Sequence, residues 1–173
     1  AIAEAFGVDA DILYDGDIGH QENRAFVNLL GIELLARDDA LDASDYERFA
    51  LVDNMKSDEG SVGMSVDILI DHYEPDEELD AEFVDIRTNV SSTSTILTKY
   101  LQEFDLSPSE TVSTALLYGI RAETLDFKRD TTPADLTAAA YLHPFANHDT
   151  LEQVESPSMS PETLDVLAEA DRK

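Results

Sequence analysis

The spacing of apolar residues divides the chain into two parts. Up to about residue 88, apolar residues occur in short runs between polar segments, which is typical of strands. One segment, Gln21–Leu30, has helical spacing, and residues 1–7 resemble the end of a helix. The strands predicted from these runs cover residues 10–14, 32–35, 47–52, 66–70 and 83–87.

After residue 89 the pattern is helical. Apolar residues recur at helical spacing over 95–104, and the hydroxyl side chains of residues 91–93 are suited to cap that helix. A capping hydroxyl followed by proline, which favours the first helical position, occurs at Ser107-Pro108, Thr132-Pro133 and Ser160-Pro161. The first two signals predict helices to about Ile120 and Leu142, and the third predicts a helix to the C-terminus.

Strands that alternate with helices, followed mostly by helices, predict an α/β fold. We expect a mostly parallel sheet flanked by helices, with a helical second half. At 173 residues the chain is long enough for one domain with a substantial core.

Two predicted strands end in side chains that can bind metal ions. Asp53 follows one strand, and Asp71 with His72 follows the other. Ligand sites in open α/β sheets lie at the carboxyl ends of the strands. Carboxylate and imidazole ligands together suit Mn²⁺, Zn²⁺ or Fe²⁺. Spacing alone leaves a second interpretation open, since Asp at a strand end also caps helices and starts turns.

The charge of the chain is far from balanced. It has 38 acidic against 11 basic residues, a formal net charge of −27, and the acidic residues are spread along its whole length. Intact apolar segments between them argue against disorder. We therefore expect adaptation to high salt, where self-repulsion is screened, with an unusually acidic ordinary protein as the alternative. In molar salt, a negative surface is a weak argument against a nucleic-acid partner.

Two absences limit the functional classes. The chain has no cysteine, which excludes disulfides, thiolate metal sites and cysteine nucleophiles. It also lacks a run of about 20 apolar residues, so we expect no membrane partner. Both features are consistent with a cytoplasmic protein.

An ordered series of segments resembles the DHH phosphoesterase superfamily, in particular its RecJ-like exonucleases and oligoribonucleases. The segment Asp71-His72-Tyr73 is similar to the Asp-His-His motif that names the superfamily. The other similar segments are 17–30, Leu51-Val52-Asp53, 88–97 and 115–127. The resemblance extends over nearly the whole chain, and these segments occur in the order of the family.

The resemblance implies a phosphoesterase with two Mn²⁺ ions. By analogy, Asp53 would bridge the metals, His72 would be a direct ligand and Asp71 would orient this region. Glu123 occupies the place of the last family metal ligand, and Tyr73 would complete the catalytic group with Asp71 and His72. The substrate would be a nucleotide or short oligonucleotide.

Two further residues are candidates for contacting the substrate phosphate. His20 and Arg24 lie in the polar stretch that, in the family, faces the cleft. Helix capping and surface charge explain these two residues equally well.

The chain departs from the family in three ways. The first motif is absent and is expected upstream, so residues 1–173 would be a single catalytic domain that also lacks the family's C-terminal substrate-binding domain. Flanking domains of the same polypeptide are therefore expected. Tyr73 replaces a histidine, and a phenol with a pKa of about 10 is a poor proton shuttle. Glu123 replaces an aspartate.

These changes keep a second hypothesis open, a degenerate domain that binds a nucleotide and regulates its partner. Pyrophosphate hydrolysis is a weaker third option.

Overall fold

The strands of the protein pair in parallel. The computed structural model describes residues 2–14, 18, 21–36, 45–53, 65–74 and 81–155. Within these ranges, β1 (Leu13–Tyr14) pairs with β2 (Leu35–Ala36). Strand β4 (Ile68–Asp71) lies between β3 (Ala50–Val52) and β5 (Phe83–Ile86). The predicted α/β fold with parallel strands is confirmed, although the described strands form two small sheets instead of one.

Helices dominate the second half, as predicted. The helices are α1 (Ile2–Ala5), α2 (Gln21–Leu30), α3 (Thr93–Glu103), α4 (Glu110–Glu123), α5 (Pro133–Leu142) and α6 (His148–Glu155). Helices α4, α5 and α6 share a core of buried residues, Leu117, Ile120, Ala138, Ala139, Leu142 and Leu151. Helix α2 joins this core through the stacked rings of Phe26 and Tyr118, whose centroids are 4.7 Å apart. No helix in the described ranges is long and apolar enough to cross a membrane.

Two of the predicted helix starts are confirmed. Ser92 caps α3 by accepting a hydrogen bond from the Ser94 N–H at 3.1 Å. Thr132 caps α5, and Asp135 completes a capping box by accepting the Thr132 N–H. The side chains therefore satisfy backbone N–H groups that a helix leaves without partners at its start.

The predicted start of α4 at Ser107 is wrong. Ser109 is the cap, and its hydroxyl accepts the Val112 N–H at 3.2 Å. Pro108 is buried just ahead of the helix instead of forming its first turn. Pro108 and Glu110 make Ser107 the better match to the local capping pattern, but the helix begins after Ser109.

The end of α4 and the helix after α5 also differ from expectation. Helix α4 continues about one turn past Ile120 to Glu123, and the hydroxyl of Thr124 donates to the Ile120 carbonyl at 2.7 Å. Helix α6 was not predicted. The helix expected from Ser160 lies outside the described residues.

The register of the three-stranded sheet positions the candidate site. Val52 of β3 pairs with Ile70 of β4, so the next residues, Asp53 and Asp71, lie side by side. The ladder continues there, because the Asp53 N–H donates to the Ile70 carbonyl at 3.0 Å. Adjacent parallel strands therefore deliver both carboxylates to the same edge of the sheet.

Candidate metal centre

Three of the residues selected from the sequence come together at this edge. Asp53, Asp71 and His72 each offer one ligand atom, and these atoms lie within 4.8 Å of one another. Asp71 and His72 are buried, whereas the Asp53 side chain is 48% exposed. The group thus combines a buried imidazole with one buried and one solvent-accessible carboxylate.

Asp53 occupies an unusual backbone conformation. Its φ is +57°, in the left-handed region that few residues other than glycine adopt, although Asp and Asn tolerate it. The residue turns the chain at the end of β3, and its Oδ1 accepts the hydroxyl of Thr93 at 2.8 Å. The same Oδ1 lies 3.1 Å from His72 Nδ1. Asp53 is therefore held toward α3 and the end of β4.

Asp71 fixes the turn that follows β4. Its Oδ1 accepts the backbone N–H groups of His72 at 2.6 Å and of Tyr73 at 2.9 Å. The residue is 1% exposed, so these bonds satisfy a carboxylate oxygen that water does not reach. The side chain sets the direction in which the imidazole of His72 leaves the strand.

The two ring nitrogens of His72 have different surroundings. Nδ1 lies 2.9 Å from Thr93 Oγ1 and 3.7 Å from Asp71 Oδ1, in addition to its contact with Asp53. Nε2 is buried and has no hydrogen-bond partner among the described residues. A buried polar atom without a partner is costly, and a ligand at Nε2 would remove that cost.

A cleft of about 510 Å³ opens beside His72. Tyr73 and Glu123 line it, so the structure brings two further residues selected from the sequence to the same cavity. The centroid of the Tyr73 ring lies 4.0 Å from the centroid of the His72 ring. Glu123, the last residue of α4, is half-buried and lies outside the group of three ligand atoms formed by the described residues. Its carbonyl accepts a hydrogen bond from Arg129 at 3.2 Å, and Arg129 also lines the cleft.

Of the two predicted phosphate contacts, Arg24 is not part of this arrangement. Arg24 is exposed on α2 and donates to the Ile18 carbonyl at 3.0 Å, and it is not among the residues that line the cleft. His20 lies outside the described residues. For Arg24 the structure thus shows a local contact near the start of α2.

Sequence reasoning missed Thr93. Its hydroxyl contacts both Asp53 and His72, yet the sequence suggested only a helix cap for the Ser and Thr residues at 91–93. Thr93 is the first residue of α3 and is 3% exposed. The one available signal was a cluster of hydroxyl residues shortly after the Asp-His pair, and it does not say which hydroxyl turns toward the site.

A comparison with known proteins found a similar protein from an archaeon. The chain is 43% identical over 170 residues to uncharacterized protein MJ1633 of Methanocaldococcus jannaschii. The match includes 98% of this chain but 35% of that protein, so the chain spans about a third of its length. No protein-family model matches the chain.

Proposed function

We propose that this chain is the metal-binding part of a DHH-type phosphoesterase, which hydrolyses phosphoester bonds in short oligonucleotides or small nucleotides. The observation that carries the proposal is the convergence of Asp53, Asp71 and His72 at the carboxyl ends of two neighbouring parallel strands. The cleft beside His72 provides room for a substrate. A cytoplasmic location and flanking domains of the same polypeptide belong to the same proposal.

The donor set fits a divalent transition-metal ion. Two carboxylates and an imidazole are ligands that suit Mn²⁺. An ion that prefers only oxygen ligands would fit this mixed set less well. The unpartnered Nε2 of His72 supports a ligand at this position. Bound Mn²⁺ would supply an activated water and a clamp on the phosphoryl oxygens.

The residues of the chain have separate roles in this proposal. Asp53, the accessible carboxylate, and His72 would hold the ion. Asp71 would keep the turn after β4 in place through its bonds to the N–H groups of His72 and Tyr73. Tyr73, half-exposed in the cleft wall, would donate a hydrogen bond to a substrate oxygen. Glu123 would join the site as a ligand only through a shift of the end of α4.

A second candidate is a nucleotide-binding regulatory domain without turnover. Two observations favour it. Tyr73 stands in the cleft where a proton-transferring histidine is expected from the resemblance, and Glu123 lies outside the group of three ligand atoms. Such a domain would keep the cleft and the metal-binding carboxylates but would lack efficient proton transfer.

The test is Mn²⁺-dependent hydrolysis of a diadenylate in concentrated KCl, with the full-length gene product and the 173-residue chain assayed side by side. Asp53→Asn should lower the rate at least about a hundredfold, which corresponds to about 2.7 kcal/mol of activation free energy. Asp105→Asn is the matched control, because Asp105 is also an exposed aspartate with a positive φ, +54°. Equal turnover by the wild type, Asp53→Asn and Asp105→Asn would contradict the proposed site.

A second variant separates the two candidates. Tyr73→His introduces a group that transfers protons near neutral pH, and general acid–base catalysis typically contributes about 10²–10⁴-fold. A large increase in rate would show that the remaining machinery is intact. A folded protein that binds adenosine monophosphate and shows no turnover with or without this change would support the regulatory domain.

A further inference from the structure

The hydroxyl of Thr93 joins two residues of the candidate metal centre. It donates to Asp53 Oδ1 at 2.8 Å and lies 2.9 Å from His72 Nδ1. Thr93 is 3% exposed, and as the first residue of α3 its backbone is fixed by the helix.

Counting protons assigns the direction of each bond. A threonine hydroxyl has one hydrogen, and an ionised carboxylate can only accept. Because the Thr93 hydrogen is directed to Asp53, Thr93 Oγ1 can only accept from His72. Nδ1 of His72 therefore carries the hydrogen, and Asp53 Oδ1 lies nearby, 3.1 Å from Nδ1.

The position of that hydrogen determines the other ring nitrogen. In a neutral imidazole with a hydrogen on Nδ1, the lone pair is on Nε2. Nε2 is the buried atom without a partner among the described residues, and His72 lines the cleft. The contacts of Asp53 with Thr93 and His72 both use Oδ1.

We infer that Thr93 is a positioning residue that fixes the tautomer of His72, so that Nε2 is the atom that binds a divalent cation. Carboxylates and hydroxyls that hold the second nitrogen of a metal-binding histidine have this effect in many metal sites. This inference rests on the proposed function for the identity of the ion. The tautomer itself is a property of the metal-free protein.

The test measures the tautomer of His72 by long-range ¹H–¹⁵N correlation spectroscopy on the metal-free protein, with the signal assigned by its loss in His72→Gln. Thr93→Val removes the hydroxyl at nearly constant volume, and Thr93→Ser keeps it. Wild type and Thr93→Ser should show hydrogen on Nδ1 alone, whereas Thr93→Val should show exchange between the two tautomers. Hydrogen on Nε2 in the wild type, or identical spectra for all three proteins, would overturn the inference.

Mn²⁺ binding by the same variants gives an independent readout. Thr93→Val should weaken Mn²⁺ binding about 10–100-fold, the usual effect of losing an outer-shell partner, and Thr93→Ser should restore most of it. An unchanged Mn²⁺ affinity in Thr93→Val would contradict the positioning role. A wild-type protein that binds no Mn²⁺ would instead reject the proposed function, and the tautomer measurement would still decide the role of Thr93. Backbone amide spectra and thermal unfolding confirm that each variant is folded.

Discussion

Asp135 links three segments around the cleft. It is fully buried, and its carboxylate accepts the Thr95 hydroxyl at 2.6 Å, the Thr132 N–H at 2.8 Å and the Thr132 hydroxyl at 2.7 Å. The N–H of Ser91 adds a longer contact at 3.2 Å. One side chain thus ties α5 to α3 and to the loop that lines the cleft.

Asp135→Asn should be strongly destabilising although it changes the shape of the side chain very little. Both carboxylate oxygens of Asp135 accept hydrogen bonds, whereas asparagine has one acceptor oxygen and one NH₂ group. The NH₂ group would face hydrogen-bond donors, and at least one of these donors would lose its acceptor. An unsatisfied buried donor costs about 1–3 kcal/mol, and the remaining bonds lose the strength they gain from a charged acceptor. We expect a loss of about 2–4 kcal/mol in the free energy of unfolding.

The effect should depend on pH in a defined direction. Burial acts to raise the pKa of Asp135, but hydrogen bonds from Thr95, Thr132 and Ser91 outweigh it and hold the pKa below its usual value. A lowered pKa in the folded state gives stability that is present above the unfolded pKa of about 3.9 and is lost as the pH falls through the folded pKa. The difference between wild type and Asp135→Asn should therefore be constant from about pH 7 to pH 5 and shrink below about pH 4.

Urea unfolding in concentrated KCl measures these differences, with Asp105→Asn as the control. Asp105 is exposed and has a positive φ that asparagine tolerates, so the control should change stability by less than about 0.5 kcal/mol. A loss below about 1 kcal/mol in the free energy of unfolding of Asp135→Asn would contradict the proposed role of these hydrogen bonds, because replacing a satisfied buried carboxylate should cost more than that. A difference that persists unchanged at pH 3 would refute the assignment of the charged form.

Two further predictions concern packing and charge. Gly119→Ala would place a Cβ inside contact distance of Ser94 Oγ and 3.2 Å from Ser94 Cβ, where α3 and α4 meet. The variant should lose about 1–3 kcal/mol in the free energy of unfolding, measured with urea, despite the helix preference of alanine. Adding Ser94→Gly should recover most of that loss. A Gly119→Ala protein more stable than wild type would contradict the close contact. With a formal charge of −27, the thermal midpoint should rise between about 0.1 M and 1 M KCl, as the Debye length falls from about 10 Å to about 3 Å. A midpoint that does not respond to KCl would reject adaptation to high salt.

The sequence predicted best what depends on local pattern. The limits of α2 and the Thr132 cap of α5 are as expected, because helical spacing and a capping box are encoded within a few residues. The convergence of Asp53 with Asp71 and His72 also followed from the rule that parallel strands end at a common edge.

Tertiary contacts decided what the sequence left open. The cap of α4 is Ser109, although Pro108 and Glu110 make Ser107 the better match to the local pattern. Helix α6 has only two buried residues, Leu151 and Val154, too few for a clear period, and the Asn147 side chain that accepts the Thr150 N–H was its one signal.

The role of Thr93 illustrates the same limit within the site. Its contacts reach back 40 residues to Asp53 and 21 residues to His72. A hydroxyl at a helix start is consistent with capping in any sequence. Only the arrangement of α3 against the ends of β3 and β4 distinguishes a positioning residue from a cap.

Asp53 and His72 are proposed to hold a divalent cation, with Asp71 fixing the turn that presents His72. The measurement to make is a Mn²⁺ titration of the full-length gene product in concentrated KCl, in which electron paramagnetic resonance monitors the free ion. We expect saturable Mn²⁺ binding, and His72→Gln should weaken it at least about tenfold. The control His148→Gln changes an exposed histidine of α6 and should leave Mn²⁺ binding unchanged. Equal Mn²⁺ binding by wild type and His72→Gln, or no saturable binding by a folded wild type, would contradict the proposed site.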